Sequence, residues 1–459
     1  MALGGCATYH PIPLTSEAVA RRLAPPDMQQ VRVRAETITH PILKPIPFDE
    51  RDGLSPDEAA ILAVIANPTL RAVRDRRRIA AAQLLQAGIL PNPQLSYNVD
   101  TPVSGDTQGK VTALGLGLDW DITSLITRDA RIEGARAHVA SVDLEVAWQE
   151  WQVAEAAKLH VYRRVIAQKR LALARRVETV YRQSYILIQR GIDLGEKTAL
   201  DMSTINAAWY DAKLAVLAAQ GEAERERLAL NRALGLPSGK VVPLQRNIGV
   251  PSARAVPSAQ VLGNGVEQRR LDILALRLAY ESQEARVRAA VRSQFPKISI
   301  GVSGARDTDR FQTAGVGLTI DFPFFDRNQG RIAIERATRK QLFDEYVARL
   351  FEARADVARI TKGLRATSKQ IASIEASMSP GIHLVEAYHK AAHEGRVSIL
   401  RYYNTLNSVY ARQLERINLE KRLVGLVISL EIASGRYFPC AAGLNPAGST
   451  RREGKGVSK

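Results

Sequence analysis

Four short segments with strict two-residue alternation constrain this chain more than any other feature. In 94–99, Leu95, Tyr97 and Val99 alternate with Gln94, Ser96 and Asn98; in 114–120, Leu114, Leu116, Leu118 and Trp120 alternate with Gly115, Gly117 and Asp119. In 298–304, Ile298, Ile300 and Val302 alternate with Ser299, Gly301 and Ser303; in 316–322, Val316, Leu318, Ile320 and Phe322 alternate with Gly317, Thr319 and Asp321. A period of two sends every large apolar side chain to one face of a strand and every small or polar one to the other. One such hairpin alone would read as a half-buried hairpin of a soluble protein. Two matching hairpins between long helices instead fit the lipid-out, water-in pattern of a membrane barrel.

The hairpins are copies in a duplicated chain, offset by about 200 residues. Pro91-Asn92-Pro93-Gln94-Leu95-Ser96-Tyr97 answers Gln294-Phe295-Pro296-Lys297-Ile298-Ser299-Ile300, Arg190-Gly191 answers Glu394-Gly395, and Ala233-Leu234-Gly235 answers Ala433-Ser434-Gly435. Each half reads helix, strand, polar loop, strand, very long helix, glycine turn, helix. The fold class expected is mainly α with β, built from a duplicated helix-strand-strand-helix-helix unit. The repeats are expected at 54–236 (strands about 94–100 and 112–121) and 266–436 (strands about 297–304 and 313–322). They are preceded by an extended Pro-rich segment (1–53), joined by a linker (237–265) and followed by a disordered tail (437–459).

Four strands do not close a barrel, for which about eight is the practical minimum. Open edges in lipid leave unpaired backbone groups at several kcal/mol each, so the strands must be shared with copies of the chain. This argument requires an oligomer without fixing its number. No window of 18 apolar residues is present, so a transmembrane helix is excluded.

From about Arg128 to Gln189 there is one glycine, Gly134, and no proline. Some 60 helical residues would span roughly 90 Å. The matching stretch from about Asn328 to Glu394 holds Pro380-Gly381, a pair expected to bend or break the helix about four turns before its end. Gly191 and Gly395 are expected as left-handed helix ends, and Thr198 and Ser398 as N-caps of the helices that follow.

Composition narrows function by exclusion. The formal net charge is +17, yet the basic residues sit singly or in small groups along helical stretches, with no nucleic-acid-binding signature; a solvated helix surface is the plainer reading, and no nucleic acid is expected. His389 and His393 stand at i, i+4 with His383 nearby, but no cysteine or acidic cluster joins them, so no metal site is expected. No phosphate loop, nucleophile elbow or paired-carboxylate pocket is present. The chain reads as a non-enzyme without a cofactor. Its cysteines, Cys6 and Cys440, are too far apart in sequence to suggest a disulfide framework. Leu3-Gly4-Gly5-Cys6 resembles the cleavage box of bacterial lipoproteins, in which the cysteine is lipidated, and implies a true start upstream of Met1.

With these features the chain resembles the TolC-type outer-membrane efflux family over roughly 54–436. The residues that carry the resemblance are Leu54-Ser55-Pro56-Asp57-Glu58-Ala59, Ala66-Asn67-Pro68-Thr69-Leu70, Leu90-Pro91-Asn92-Pro93 and Leu234-Gly235-Leu236-Pro237, together with the duplicated strand pairs. The Asn-Pro and Pro-Asn-Pro pieces are most similar to the heavy-metal branch. The resemblance implies a homotrimer with a 12-stranded barrel in outer-membrane lipid, four strands per chain, continued by a long periplasmic α-helical barrel. It implies a passive duct serving a periplasmic adaptor protein and an inner-membrane pump of the resistance-nodulation-division type, and in many members a lipid anchor, which fits Cys6. The glycine turns, Arg190-Gly191 and Glu394-Gly395, would be the adaptor-facing tip.

The resemblance departs at the gate. Some members carry acidic side chains a few residues after the second turn, where this chain has Arg401 and Asn404, with Asp201 at the related position of the first half. Arg401 either forms a basic constriction or pairs with Asp201 or Glu394. Export of metal ions, of small toxic compounds, or of a polypeptide by type I secretion all fit a duct; a soluble coiled-coil scaffold is the reading from another class.

Overall fold

The computed structural model describes residues 8–251, 256–394 and 396–436. Cys6, Gly395, Cys440 and the segment 437–459 lie outside them. The elements run α1 (Ser16–Leu23), α2 (Met28–Glu36), α3 (Pro56–Ala66), α4 (Pro68–Gly88), β1 (Gln94–Asp100), β2 (Ala113–Asp121), α5 (Thr123–Asp193) and α6 (Ala199–Leu234). They continue as α7 (Ala259–Gly263), α8 (Val266–Arg269), α9 (Leu271–Arg292), β3 (Lys297–Arg306), β4 (Gln312–Asp321), α10 (Gln329–His393) and α11 (Ile399–Ser434). They divide into two compact units. One holds 1–71, 150–263 and 356–459; the other holds 72–149 and 264–355.

The second unit carries one antiparallel sheet in the order β1-β2-β3-β4. Its register aligns the apolar faces of all four strands. Leu95 pairs with Leu118, Leu118 with Val302 and Val302 with Val316. The opposite pleat aligns Ser96, Gly117, Ser303 and Gly315. The apolar face has nothing over it: Leu95 is 70% exposed, Leu318 63% and Val316 87%. Among the described residues, neither outer edge, of β1 or of β4, meets another strand. The two hairpin loops are joined by an ion pair between Lys110 and Asp309 and by the Val111 N–H donating to the Thr308 carbonyl at 3.0 Å.

Four helices of this unit connect laterally. Arg128 on α5 donates to the Gly88 carbonyl of α4 at 2.9 Å, and Ser282 on α9 donates to the Gly134 carbonyl of α5 at 2.7 Å. Asn328, just ahead of α10, donates to the Ala290 carbonyl of α9 at 2.7 Å. Gly134 permits the α5–α9 approach, since a Cβ there would sit 3.3 Å from that of Ala285.

In the first unit the quoted motifs explain one another. Ser55 and Glu58 form a capping box that starts α3, and α3 is buried along nearly its whole length. Asn67 ends α3, accepts from the Thr69 N–H at 2.9 Å and donates to the Ala233 carbonyl at 3.0 Å. Gly235, left-handed at φ 69°, closes α6 so near Asn67 and Pro68 that a Cβ would meet the Pro68 ring at 2.8 Å. Gly435 closes α11 with the same geometry, φ 63°.

Pro380 does not break its helix: α10 is continuous from Gln329 to His393. Proline removes the donor that would bond the Ala376 carbonyl; the neighbouring Ser377 carbonyl accepts from the Arg412 guanidinium of α11 at 3.2 Å, which ties this turn to the facing helix. Gly381 lets α11 come close enough for this, as a Cβ there would lie 3.1 Å from Val409.

A buried charge cluster ties three helices of this unit together. Lys158 of α5, 1% exposed, places its Nζ 2.7 Å from Glu431 of α11, 3.6 Å from Glu155 of α5 and 4.0 Å from Asp57 of α3. Burial holds the Glu155 carboxyl well above the ordinary carboxylate range, reinforced by Glu431 and opposed by Lys158. The raised value favours the neutral form of Glu155, and the 2.7 Å contact makes Glu431 the nearest counter-ion of Lys158. We predict that Glu155→Gln, which mimics a protonated carboxyl, shifts stability by less than about 1 kcal/mol, whereas Glu431→Gln, which strips the buried ammonium of its partner, costs roughly 3–5 kcal/mol. Thermal unfolding of both variants followed by circular dichroism checks this; equal losses would refute the assignment.

Candidate functional site

The turns that join α5 to α6 and α10 to α11, expected to be the working tip, both lie in the first unit. The turn glycine is not Gly191: α5 runs through it to Asp193, and the left-handed residue is Gly195, φ 74°. The backbone then folds back, with Glu196 N–H donating to the Gly191 carbonyl at 2.7 Å. In the second half Arg396 N–H donates to the Ala391 carbonyl at 2.9 Å. These two bonds align 191 with 391, so Gly195 answers Gly395, which lies outside the described residues. Gly191 serves another purpose: it leaves room for the Lys197 side chain, which a Cβ would strike at 2.6 Å.

Thr198 caps α6 in a reciprocal capping box with Asp201. Its N–H donates to the Asp201 carboxylate at 3.0 Å and its hydroxyl at 2.8 Å. These bonds hold the Asp201 carboxyl below the ordinary range. Ser398 N-caps α11 without a side-chain bond, and Arg401 stands where Asp201 supplies the reciprocal carboxylate of the first box.

The pairing of Arg401 with Asp201 or Glu394 is not formed. Asp201 is held by Thr198, and Glu394 pairs with Arg396 at 3.3 Å. Arg401 is exposed, and among the described residues its side chain has no ion pair. Asn404, one helical turn on, is exposed as well, as is Arg190. His389 packs edge-on against Tyr402, ring centroids 5.4 Å apart, and among the described residues no group of three metal-ligating side chains converges.

What sequence reading missed is an aromatic core behind these turns. Tyr181 lies 5.6 Å from Tyr403, and Tyr403 5.2 Å from Tyr402, between ring centroids. The Tyr181 hydroxyl donates to Asn407 at 2.5 Å. Tyr185 stacks on Trp209 at 5.0 Å, and the Trp209 indole N–H donates to Glu178 at 3.0 Å. A cavity of about 350 Å³ opens beside this core, lined by Arg190, Lys197, His389, Tyr402 and Tyr403 among others. The signal for the turn glycine was present: Thr198/Ser398 and Gly235/Gly435 both stand 200 apart, which would have selected Gly195. The tyrosines carried no such signal, since isolated aromatics on a helix do not reveal their partners.

Burial pushes the hydroxyls of Tyr181 and Tyr403 up to about 12. A raised folded-state value means that their contribution to stability is complete below pH ~10, where unfolded tyrosine ionises, and is lost as pH rises toward 12. We expect the tyrosinate absorbance of the folded protein to show two late-titrating groups, one of which disappears in Tyr181→Phe. Ionisation of every tyrosine near pH 10 would contradict the packing.

Comparison with known proteins agrees with this architecture. The profile of the outer membrane efflux protein family matches residues 62–236 and again 262–436. The cobalt-zinc-cadmium resistance protein CzcC of Cupriavidus metallidurans is 23% identical over 338 residues, 72% of this chain and 77% of that one. Among solved structures, CusC superposes with a TM-score of 0.70 at 18% identity, covering 87% of this chain and 98% of its own. The outer membrane protein VceC of Vibrio cholerae superposes at 0.69 and 17% identity, covering 83% and 96%. The open-state outer membrane channel MtrE of Neisseria gonorrhoeae gives 0.66 at 16%, covering 87% and 97%. Family match to both halves and the shared fold lead to one conclusion: this chain belongs to the outer membrane efflux protein family, and is a transport protein of the outer membrane, not an enzyme.

Proposed function

We propose that three copies of the chain form a passive duct, a 12-stranded barrel in the outer membrane continued by a periplasmic helical tunnel, that receives its cargo from a periplasmic adaptor and an inner-membrane pump of the resistance-nodulation-division type. The observation that carries this reading is the sheet: an uncovered apolar face across four strands, with two edges that no described strand of the chain completes. In lipid, such edges are tolerated only when a neighbouring copy closes them. Among the described residues no helix is long and apolar enough to cross a membrane, so crossing falls to the strands.

Within this duct the turn segments around Arg190, Gly191, Glu394 and Gly395 meet the adaptor. Asp201, Arg401 and Asn404 line the gate, and Cys6 carries the lipid, with palmitate among its acyl chains. Similarity to a protein named for cobalt, zinc and cadmium resistance favours metal ions as cargo over small toxic compounds. Arg401 sets a condition on that cargo: three unpaired guanidinium groups at a constriction repel free cations.

Light scattering coupled to size exclusion, on protein extracted from membranes in detergent, is expected to give a particle of three 50.4 kDa chains. A monomer that needs no detergent would defeat the shared barrel. In planar bilayers Arg401→Ala is expected to shift the reversal potential in a salt gradient toward cation preference, by electrostatic relief at the constriction. An unchanged reversal potential would remove Arg401 from the gate.

A further inference from the structure

One cavity of the sheet-bearing unit has a lining of definite chemistry that the duct reading does not yet use. It measures about 600 Å³ and is lined by Gln83 of α4, Arg131 and His138 of α5, Arg286 of α9, and Arg331 and Glu335 of α10, with small residues between them. The hydrogen bonds between neighbouring helices fix their order as α4, α5, α9, α10. One cavity that touches both the first and the last helix of such a layer requires the layer to curl, with the cavity on the concave side.

The charge there is unbalanced. Three guanidinium groups face one carboxylate, a formal excess of two positive charges on this lining. Glu335 is already engaged, accepting from the Gln283 amide at 2.5 Å and lying 3.8 Å from Arg331. Arg131 donates to the Ser124 carbonyl at 3.1 Å, which leaves its charge uncompensated. Arg286 has no ion-pair partner among the described residues and stands close enough to His138 to disfavour the imidazolium; burial, first, and Arg286 lower the His138 value, against a weaker pull from Glu145. His138 is therefore a neutral neighbour that leaves the excess to the arginines.

We propose that this cavity is a binding site for a multiply charged inorganic oxyanion of the phosphate or sulfate class, held by Arg131, Arg286 and Arg331. Guanidinium forks match tetrahedral oxyanions in geometry and charge. A water occupies about 30 Å³ of liquid, so the cavity takes the anion with part of its hydration shell, which sets exchangeable rather than permanent binding. The site itself is built from one chain. Its position rests on the duct reading, under which the concave side of the helix layer is the lumen and three such sites ring the channel near the barrel.

Isothermal titration of full-length detergent-solubilised protein with sodium sulfate and with inorganic pyrophosphate, at low ionic strength, tests this. We expect one saturable site per chain, weakened about tenfold or more in Arg286→Gln/Arg331→Gln. Arg288→Gln should leave it unchanged, since Arg288 pairs with Glu133 at 2.7 Å and does not line the cavity. If the double variant fails to fold by circular dichroism, Arg131→Gln takes its place. No saturable uptake by the unmodified protein, or equal affinity in the variant, overturns the site. Loss of sulfate binding on transfer from neutral-lipid nanodiscs to nanodiscs containing phosphatidylglycerol would assign the cavity to a lipid headgroup and overturn the lumenal anion. The particle mass separates the two readings: a trimer that binds nothing defeats the site alone, while a monomer that binds defeats the duct and the lumenal placement alone.

Discussion

Every backbone N–H and C=O of a strand must find a partner, and in lipid no water supplies one. The four-stranded sheet satisfies this internally at three seams, and among the described residues leaves it unmet at two edges. The uncovered apolar face adds a second condition, because large exposed apolar surfaces are rare on soluble monomers. Together they make the folded chain an incomplete object. In the duct we propose, the long helices, the duplication and the lateral helix contacts serve to build repeated walls around a ring of strands shared between copies.

The duplication also lets each half be judged against the other. Both repeats end on a left-handed glycine, Gly235 and Gly435, and both fold back through the same backbone bond, at 191–196 and 391–396. At equivalent positions the halves then diverge. Asp201 completes a capping box that Arg401 leaves open. Helix ends tolerate such divergence, since a cap contributes only about 1 kcal/mol, so side chains at the turns are free to be set by what they meet.

Strand alternation, helix caps at Thr198 and Ser398 and the half-to-half equivalence of Gly235 and Gly435 were legible in sequence because each follows from local rules. The turn glycine was misplaced because two glycines, Gly191 and Gly195, compete for one turn; the 200-residue spacing of the flanking caps favours Gly195, and the backbone bond from Glu196 to Gly191 settles it. The fate of Pro380 was also out of reach, since its turn is tied to another helix through Arg412, 32 residues away in sequence. The arginine cavity was invisible for the same reason: its three arginines come from three helices far apart in sequence, and a fourth helix completes its lining. Local signals named the elements; the contacts between elements had to be seen.

The lysine buried among three acids has a consequence for how this sequence can drift. Lys158, Glu155, Glu431 and Asp57 come from three helices and both halves of the duplication. Loss of Lys158 or of Glu431 strands the other in a medium that does not solvate ions, so replacing either alone is costly even where an apolar pair would pack well. This pair can leave a lineage only by coordinated change. Relatives that lack the lysine should therefore lack Glu431 too, while position 155 is free to lose its carboxyl.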